Sequence, residues 1–188
     1  MELKTVALRL FVESSYAGAS LQQIAEAAGY SKSSVLYHFS SKEALLEAAL
    51  TPAVAKLDDL FQGSIGRLAD DGLRAAFVTE FIDFLLEYGS EAHIIINQGQ
   101  SLAGIPIIDR ASEFLQRVSD SFMTELDTPE QRIRLGVALA GAAYVVATGV
   151  SMRTAELETD GEDGIRAALV AVVTELLIPF TATPAVTL

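Results

Sequence analysis

The chain has no cysteine, no tryptophan and only two histidines, His38 and His93. Without thiols it can form no disulfide, no thiolate metal site and no cysteine nucleophile, and the composition fits a reducing cytoplasm, which is the expected location. Two histidines far apart in sequence do not suggest a histidine-rich metal site, so neither metal nor cofactor is expected. Two short motifs that would announce an enzyme are also missing: no GxxxxGK[ST] phosphate loop and no HExxH. No enzyme activity is expected. No basic-then-apolar leader opens the sequence as it stands. No run alternates apolar and polar residues between hairpin turns, so β-structure has no signal.

Positive charge is the next scarcity. Thirteen Lys and Arg face twenty-five Asp and Glu, a formal net charge of −12 that repels nucleic acid at long range. The imbalance is not uniform. Residues 1–50 hold four basic and five acidic side chains, a net of −1, and the remainder carries −11. Between Glu26 and Glu43 there is no acid at all, only Lys32, His38 and Lys42.

Apolar residues are plentiful at 51% of 188, enough for a core and a subunit interface. Leu135 to Met152 carries no charge and is bracketed by Arg134 and Arg153. Its Ala- and Gly-rich composition predicts a helix buried by protein rather than a membrane span.

Helical periodicity runs through the chain. Leu3, Val6, Ala7, Leu10 and Phe11 share one face of a first helix. Ser20 and Gln23 form a capping box for a second, with Ile24, Ala25 and Ala28 inward and Gly29 just past its end. Ser31 caps a third, with Val35 and Phe39 inward. A fourth starts at Ser40 or Ser41, Ser40 pairing with Glu43 as a capping box, and bears Leu45, Leu46 and Leu50. At Pro52 it either kinks or gives way to a new helix capped by Thr51, and the pattern stops near Gly63. Further helices are predicted from Leu73 to Tyr88, then a short one to Gly99. Gly104-Ile105-Pro106 leads into another ending near Leu126. Thr128-Pro129-Glu130-Gln131 starts one that runs to Arg153. After an acidic turn from Thr159 to Gly164, a last helix runs from Ile165 to Ile178, before a frayed tail. The second and third helices, Leu21 to Phe39, have the form of a helix-turn-helix whose second helix enters the DNA major groove.

The order Leu10-Phe11, Tyr16, Ser20, Ile24-Ala25, Ala28-Gly29, Ser31-Lys32, Tyr37-His38-Phe39 and Ser41-Lys42-Glu43-Ala44-Leu45 resembles the tetracycline-repressor-type (TetR) family of bacterial regulators. The resemblance covers about a fifth of the chain, Leu10 to Leu46. It implies an all-α fold: a three-helix, helix-turn-helix DNA-binding head over residues 1–47 and a C-terminal helical bundle over 48–188 that binds a ligand and dimerises. It further implies a homodimer through the last two long helices, a double-stranded DNA operator, and a small-molecule effector that lowers DNA affinity. No membrane partner is expected. The sequence departs from the family pattern at Leu36, where an aromatic is frequent, and in beginning its first helix almost at Met1.

The DNA-facing candidates are Ser20, Ser31, Lys32, Ser33, Ser34, Leu36, Tyr37, His38 and Lys42. Serines are short donors that permit close approach, and the start of the third helix presents free N–H groups. Lys32 can reach a base edge or a phosphate, and Leu36 a thymine methyl. The resemblance makes Tyr37 and His38 backbone contacts and Lys42 the phosphate clamp. Each has a plainer reading: Ser20 and Ser31 as caps, Tyr37 as core, His38 and Lys42 as solvated side chains.

In the body, Phe77, Phe81, Phe84 and Tyr88 share one helix face. They can line a largely apolar ligand pocket or fill an ordinary core. His93, Asn97 and Gln100 form a polar stripe that is either solvated or turned into a cavity. Phe114 and Tyr144, with Phe122, are further ligand candidates. Gly136, Ala140, Ala143 and Ala147 permit close helix approach. The expected function is a ligand-responsive DNA-binding transcriptional regulator, a repressor released by a small molecule. The alternative is an architectural or cell-division factor on the same fold without an inducer.

Overall fold

A computed structural model describes residues 3–62, 70–147 and 161–177. The expected helix stop at Gly63, the turn residue Thr159, the uncharged residues 148–152 and the tail lie outside them, as does the side chain of Phe122. Among the described residues there are nine α-helices and no strand, and no helix is long and apolar enough to cross a membrane. They form two compact units.

The first unit comprises the described residues of Met1–Lys56 and Tyr88–Phe114. It holds α1 (Leu3–Gly18), α2 (Leu21–Ala28), α3 (Lys32–His38), most of α4 (Lys42–Phe61), α6 (Gly89–Gln98), a 3-10 turn (Gly99–Leu102) and the first half of α7 (Pro106–Glu125). Its core joins Phe11, Ile24, Leu45, Leu46 and Leu50 to Ile94, Ile107 and Ile108. On α1, Leu8 is buried and Leu10 only half-buried, the reverse of a single-faced reading. The reason is that α1 packs against both α2 and α6, so its apolar stripe is wider than one neighbour needs.

Ser41, not Ser40, caps α4: its Oγ accepts the Ala44 N–H at 3.1 Å. No new helix starts at Thr51, because α4 runs through Pro52. The Thr51 hydroxyl instead donates to the Glu47 carbonyl at 2.6 Å, one turn back. Gly104, at φ 93, turns the chain into α7, and its N–H is held by Asp109 at 2.9 Å.

The second unit contains α5 (Asp71–Glu87), α8 (Pro129–Ala147) and α9 (Gly161–Leu177), mutually packed, with the end of α4. Asp70 caps α5 through the Leu73 N–H at 2.9 Å, so the helix starts at Asp71, two residues before the expected Leu73. The expected capping box at α8 is present: Thr128 and Gln131 exchange bonds at 3.1 and 3.2 Å. α9 starts at Gly161 rather than Ile165. Arg166 of α9 forms a two-pronged ion pair with Asp83 of α5 at 2.5 and 2.9 Å, which lowers the Asp83 pKa.

Candidate nucleic-acid interface

The interface begins with a turn. Ser20 Oγ accepts the Gln23 N–H at 3.2 Å and Gln23 Oε1 accepts the Ser20 N–H at 2.9 Å, so α2 starts at a fixed residue. It ends at Gly29 in the left-handed region, φ 79, which lets the Gly29 and Tyr30 amides close on Glu26 and Ala25 at 3.1 and 2.8 Å. Two residues later Ser31 caps α3, its Oγ accepting the Ser34 N–H at 3.1 Å. Two tight ends set the direction of α3 before any packing does.

α3 is anchored by one residue. Val35 is 1% exposed, and Lys32, Ser33, Ser34, Leu36, Tyr37 and His38 are all exposed. Phe39, expected inward, is half-buried against the core. Tyr37 is 87% exposed, so it is not a core residue, and its ring meets His38 edge-on at 5.3 Å. Ser31 Oγ lies 2.9 Å from Ser33 Oγ and 2.8 Å from Ser34 Oγ. These serines form one exposed hydroxyl cluster rather than three separate donors.

Lys42 is not a solvated lysine. Its ammonium donates to the carbonyls of Tyr16 and Ala19 at 2.8 and 2.9 Å and sits 4.2 Å from the Tyr16 ring centroid. An ammonium has three N–H donors, so one remains for a phosphate. Next to it, the Glu43 carboxyl is held below its usual range, first by its own backbone N–H at the helix start and then by the Ser41 side chain.

Two side chains that sequence reading passed over stand beside this surface. A concavity of about 380 Å³ is lined by Leu3, Lys4, Tyr30, Ser34, Val35, His38 and Phe39. It brings Lys4 of α1 and the exposed Tyr30 next to the DNA-facing candidates Ser34 and His38. Lys4 falls off the apolar stripe of α1 and Tyr30 falls in a turn, so neither carries a periodic signal; only the packing of α1 and α3 on α2 brings them together. Gln98, also passed over, is bonded to the backbone of α1 at Phe11 and Tyr16.

The ligand candidates do not form one set. Phe77, Phe81 and Phe84 are buried in the second unit, whereas Tyr88, His93, Asn97 and Phe114 belong to the first. Phe77 and Phe81 stack at 6.1 Å and both meet Phe61 edge-on, at 5.5 and 6.0 Å, so they form an aromatic core. Asn97 is exposed and reaches the His93 ring at 3.3 Å, on a solvated face. Phe114 is buried. Tyr144 is 55% exposed on α8, because the inner face of that helix is Leu135, Ala138 and Ala142. Arg74, which carries no sequence signal, is a buried charged residue of α5.

Comparison with known proteins places the head. The model of bacterial regulatory proteins of the tetR family matches residues 5–49. The HTH-type transcriptional regulator RutR of Escherichia coli (strain K12) is 32% identical over 108 residues, 55% of this chain and 48% of that protein. The HTH-type transcriptional repressor KstR2 of Rhodococcus jostii (strain RHA1) is 29% identical over 140 residues, 74% of this chain and 63% of that protein. The matched segment spans about half the length of the first relative and less than two thirds of the second. A solved TetR transcriptional regulator family member from Streptomyces coelicolor A3 superposes with a TM-score of 0.69 at 21% identity, over 97% of this chain and 92% of that one. That likeness shows the fold.

Proposed function

We propose that this chain, whose residues 5–49 match the model of bacterial regulatory proteins of the tetR family, is a regulator of that kind: a cytoplasmic transcriptional repressor that binds a double-stranded DNA operator as a homodimer and is released by a small molecule. The observation that carries the DNA reading is α3 itself: a helix with one buried residue and six exposed ones, entered from a capped turn, in a stretch without acidic side chains. Lys32, Ser33, Ser34 and Leu36 face base edges in this reading, and Ser20, Ser31, Tyr37, His38 and Lys42 face the phosphates. Lys4 and Tyr30 extend that backbone-facing set. Residues 1–47 read DNA, and residues 48–188 bind the effector and dimerise. The effector is a largely apolar molecule, and it acts only if it prefers a body shape whose heads no longer fit the operator.

Selecting duplexes from a random pool tests this. The expected result is a near-palindromic site with half-sites about one helical turn, or a multiple of it, apart, from which an apolar compound releases the protein. Failure to enrich any sequence would sink the DNA reading. The packed Phe61-Phe77-Phe81 cluster supports a second reading, an architectural DNA-binding factor without inducer, which predicts the same enrichment and no releasing compound.

A further inference from the structure

α1 does not end as a regular helix. Ser15 stands at φ 61 and ψ 162 inside Leu3–Gly18, a conformation that residues other than glycine avoid. In a regular helix the Tyr16 amide would bond to the Val12 carbonyl, and the Phe11 carbonyl would accept from Ser15. A single side chain from another helix meets both groups. Gln98, the last residue of α6, accepts the Tyr16 N–H through Oε1 at 2.7 Å and donates from Nε2 to the Phe11 carbonyl at 2.8 Å. A carboxamide offers one acceptor and a donor pair on the same planar group, which is what the break requires.

The other side of Tyr16 is held as firmly. Its carbonyl, with that of Ala19, is bonded to Lys42 at the start of α4. One residue is therefore gripped at its N–H by α6 and at its carbonyl by the lysine of the DNA-facing set. All of these groups lie in one compact unit. Hydrogen bonds at 2.7 to 2.9 Å weaken steeply with distance and angle, so a shift of α6 cannot leave Tyr16 where it is. Once Gln98 lets go, two backbone groups need new partners, Ser15 is free to leave its strained conformation, and the Tyr16 carbonyl turns away from Lys42.

We propose that Gln98 is a positioning residue for DNA binding: it holds the break in α1 so that Tyr16 fixes the ammonium of Lys42, and movement at the end of α6 is thereby read as a change in grip on a DNA phosphate. This rests on the DNA-binding reading above.

The test uses four full-length proteins, wild type, Gln98→Met, Lys42→Met and the double variant, with the duplex selected by the wild type as the probe. Affinity is measured across a salt series. Lys42→Met should lose about tenfold in affinity and lower the salt slope by about one, as loss of one phosphate contact does. Gln98→Met changes no charge, yet it should produce the same loss and the same fall in slope. The double variant should bind no worse than Lys42→Met alone, because both act on one contact. A residue that only stabilised the fold would lower the melting temperature and leave the slope untouched. If Gln98→Met melts the head, Gln98→Asn, a neutral carboxamide too short to bridge Tyr16 and Phe11, replaces it in the same cycle. Additive losses, or an unchanged slope in the Gln98 variant while Lys42→Met shows its effect, would overturn the relay. An inert Lys42→Met would overturn the phosphate role of Lys42 and the relay with it. A wild type that selects no duplex would overturn the DNA reading itself.

Discussion

Tyr16 shows how much of this head depends on one side chain and its backbone. Its ring lies 5.2 Å from that of Phe11 and under the Lys42 ammonium, and its buried hydroxyl interacts with the Glu43 carboxylate. Burial, and then the charge of Glu43, push the phenol from 10.0 up to about 12. A raised folded value favours the neutral phenol. The contribution is therefore fully present below the unfolded value near 10 and is lost as pH rises through about 12. The protein should lose stability between these two values, and Tyr16→Phe should remove that part of the loss. At pH 7 the same substitution should stay within about 1 kcal/mol of wild type, since it removes only one weak interaction, that of the hydroxyl with Glu43. Urea midpoints at neutral and alkaline pH check both statements, and a variant that keeps the full alkaline loss would show that another group carries it.

Among the elements, the turn between α2 and α3 is the most tightly specified. Gly29 sits at φ 79, and a Cβ built there would meet nothing within 4 Å. The glycine is needed for its backbone and not for space. Gly29→Ala should therefore destabilise the protein by about 1–2 kcal/mol, the cost of the left-handed region to an L-residue, and Gly29→Asn should cost less, because asparagine tolerates that region. Thermal unfolding reads the difference; equal losses for the two variants would point to a steric cause instead. α4 shows the opposite case. Pro52 lacks the N–H for its turn and is still accepted within a helix of 20 residues, whose buried Leu45, Leu46, Leu50 and Ala53 hold it on both sides of the proline.

At the scale of the molecule, the exposed apolar surface of the second unit points to its assembly. On α8, Ile133 and Val137 stand one turn apart and are 65% and 56% exposed. Gly136, Ala140 and Gly141 lie exposed among them, so a partner helix could approach closely. On α9, Ile165 and Val172 are exposed as well. A chain of net charge −12 that leaves such faces open is expected to cover them with a second copy of itself. Val137→Glu should place charge at that contact and give a folded monomer in sedimentation, with weaker binding to a two-half-site duplex than to wild-type expectations for a dimer. A Val137→Glu protein that remains dimeric would move the interface elsewhere.

The sequence by itself determined the local features. Ser20 with Gln23, Gly29, Ser31, and Thr128 with Gln131 could be read as caps and turns because their bonds close within a few residues, and Val35 could be read as an inward residue of α3, with Phe39, read inward beside it, only half-buried. The tertiary structure decided what depends on residues far apart in the chain. Periodicity marks which face of a helix is apolar but not how many neighbours it meets, so it could not reveal that α1 is covered on two sides or that Tyr144 faces outward. Nor could it distinguish a packed Phe61-Phe77-Phe81 cluster from a lined pocket, since both are written with the same apolar spacing. Gln98 to Tyr16 spans 82 positions and Lys42 to Tyr16 spans 26. Hydrogen bonds across such separations leave no pattern in the order of residues, because they exist only after the helices have packed.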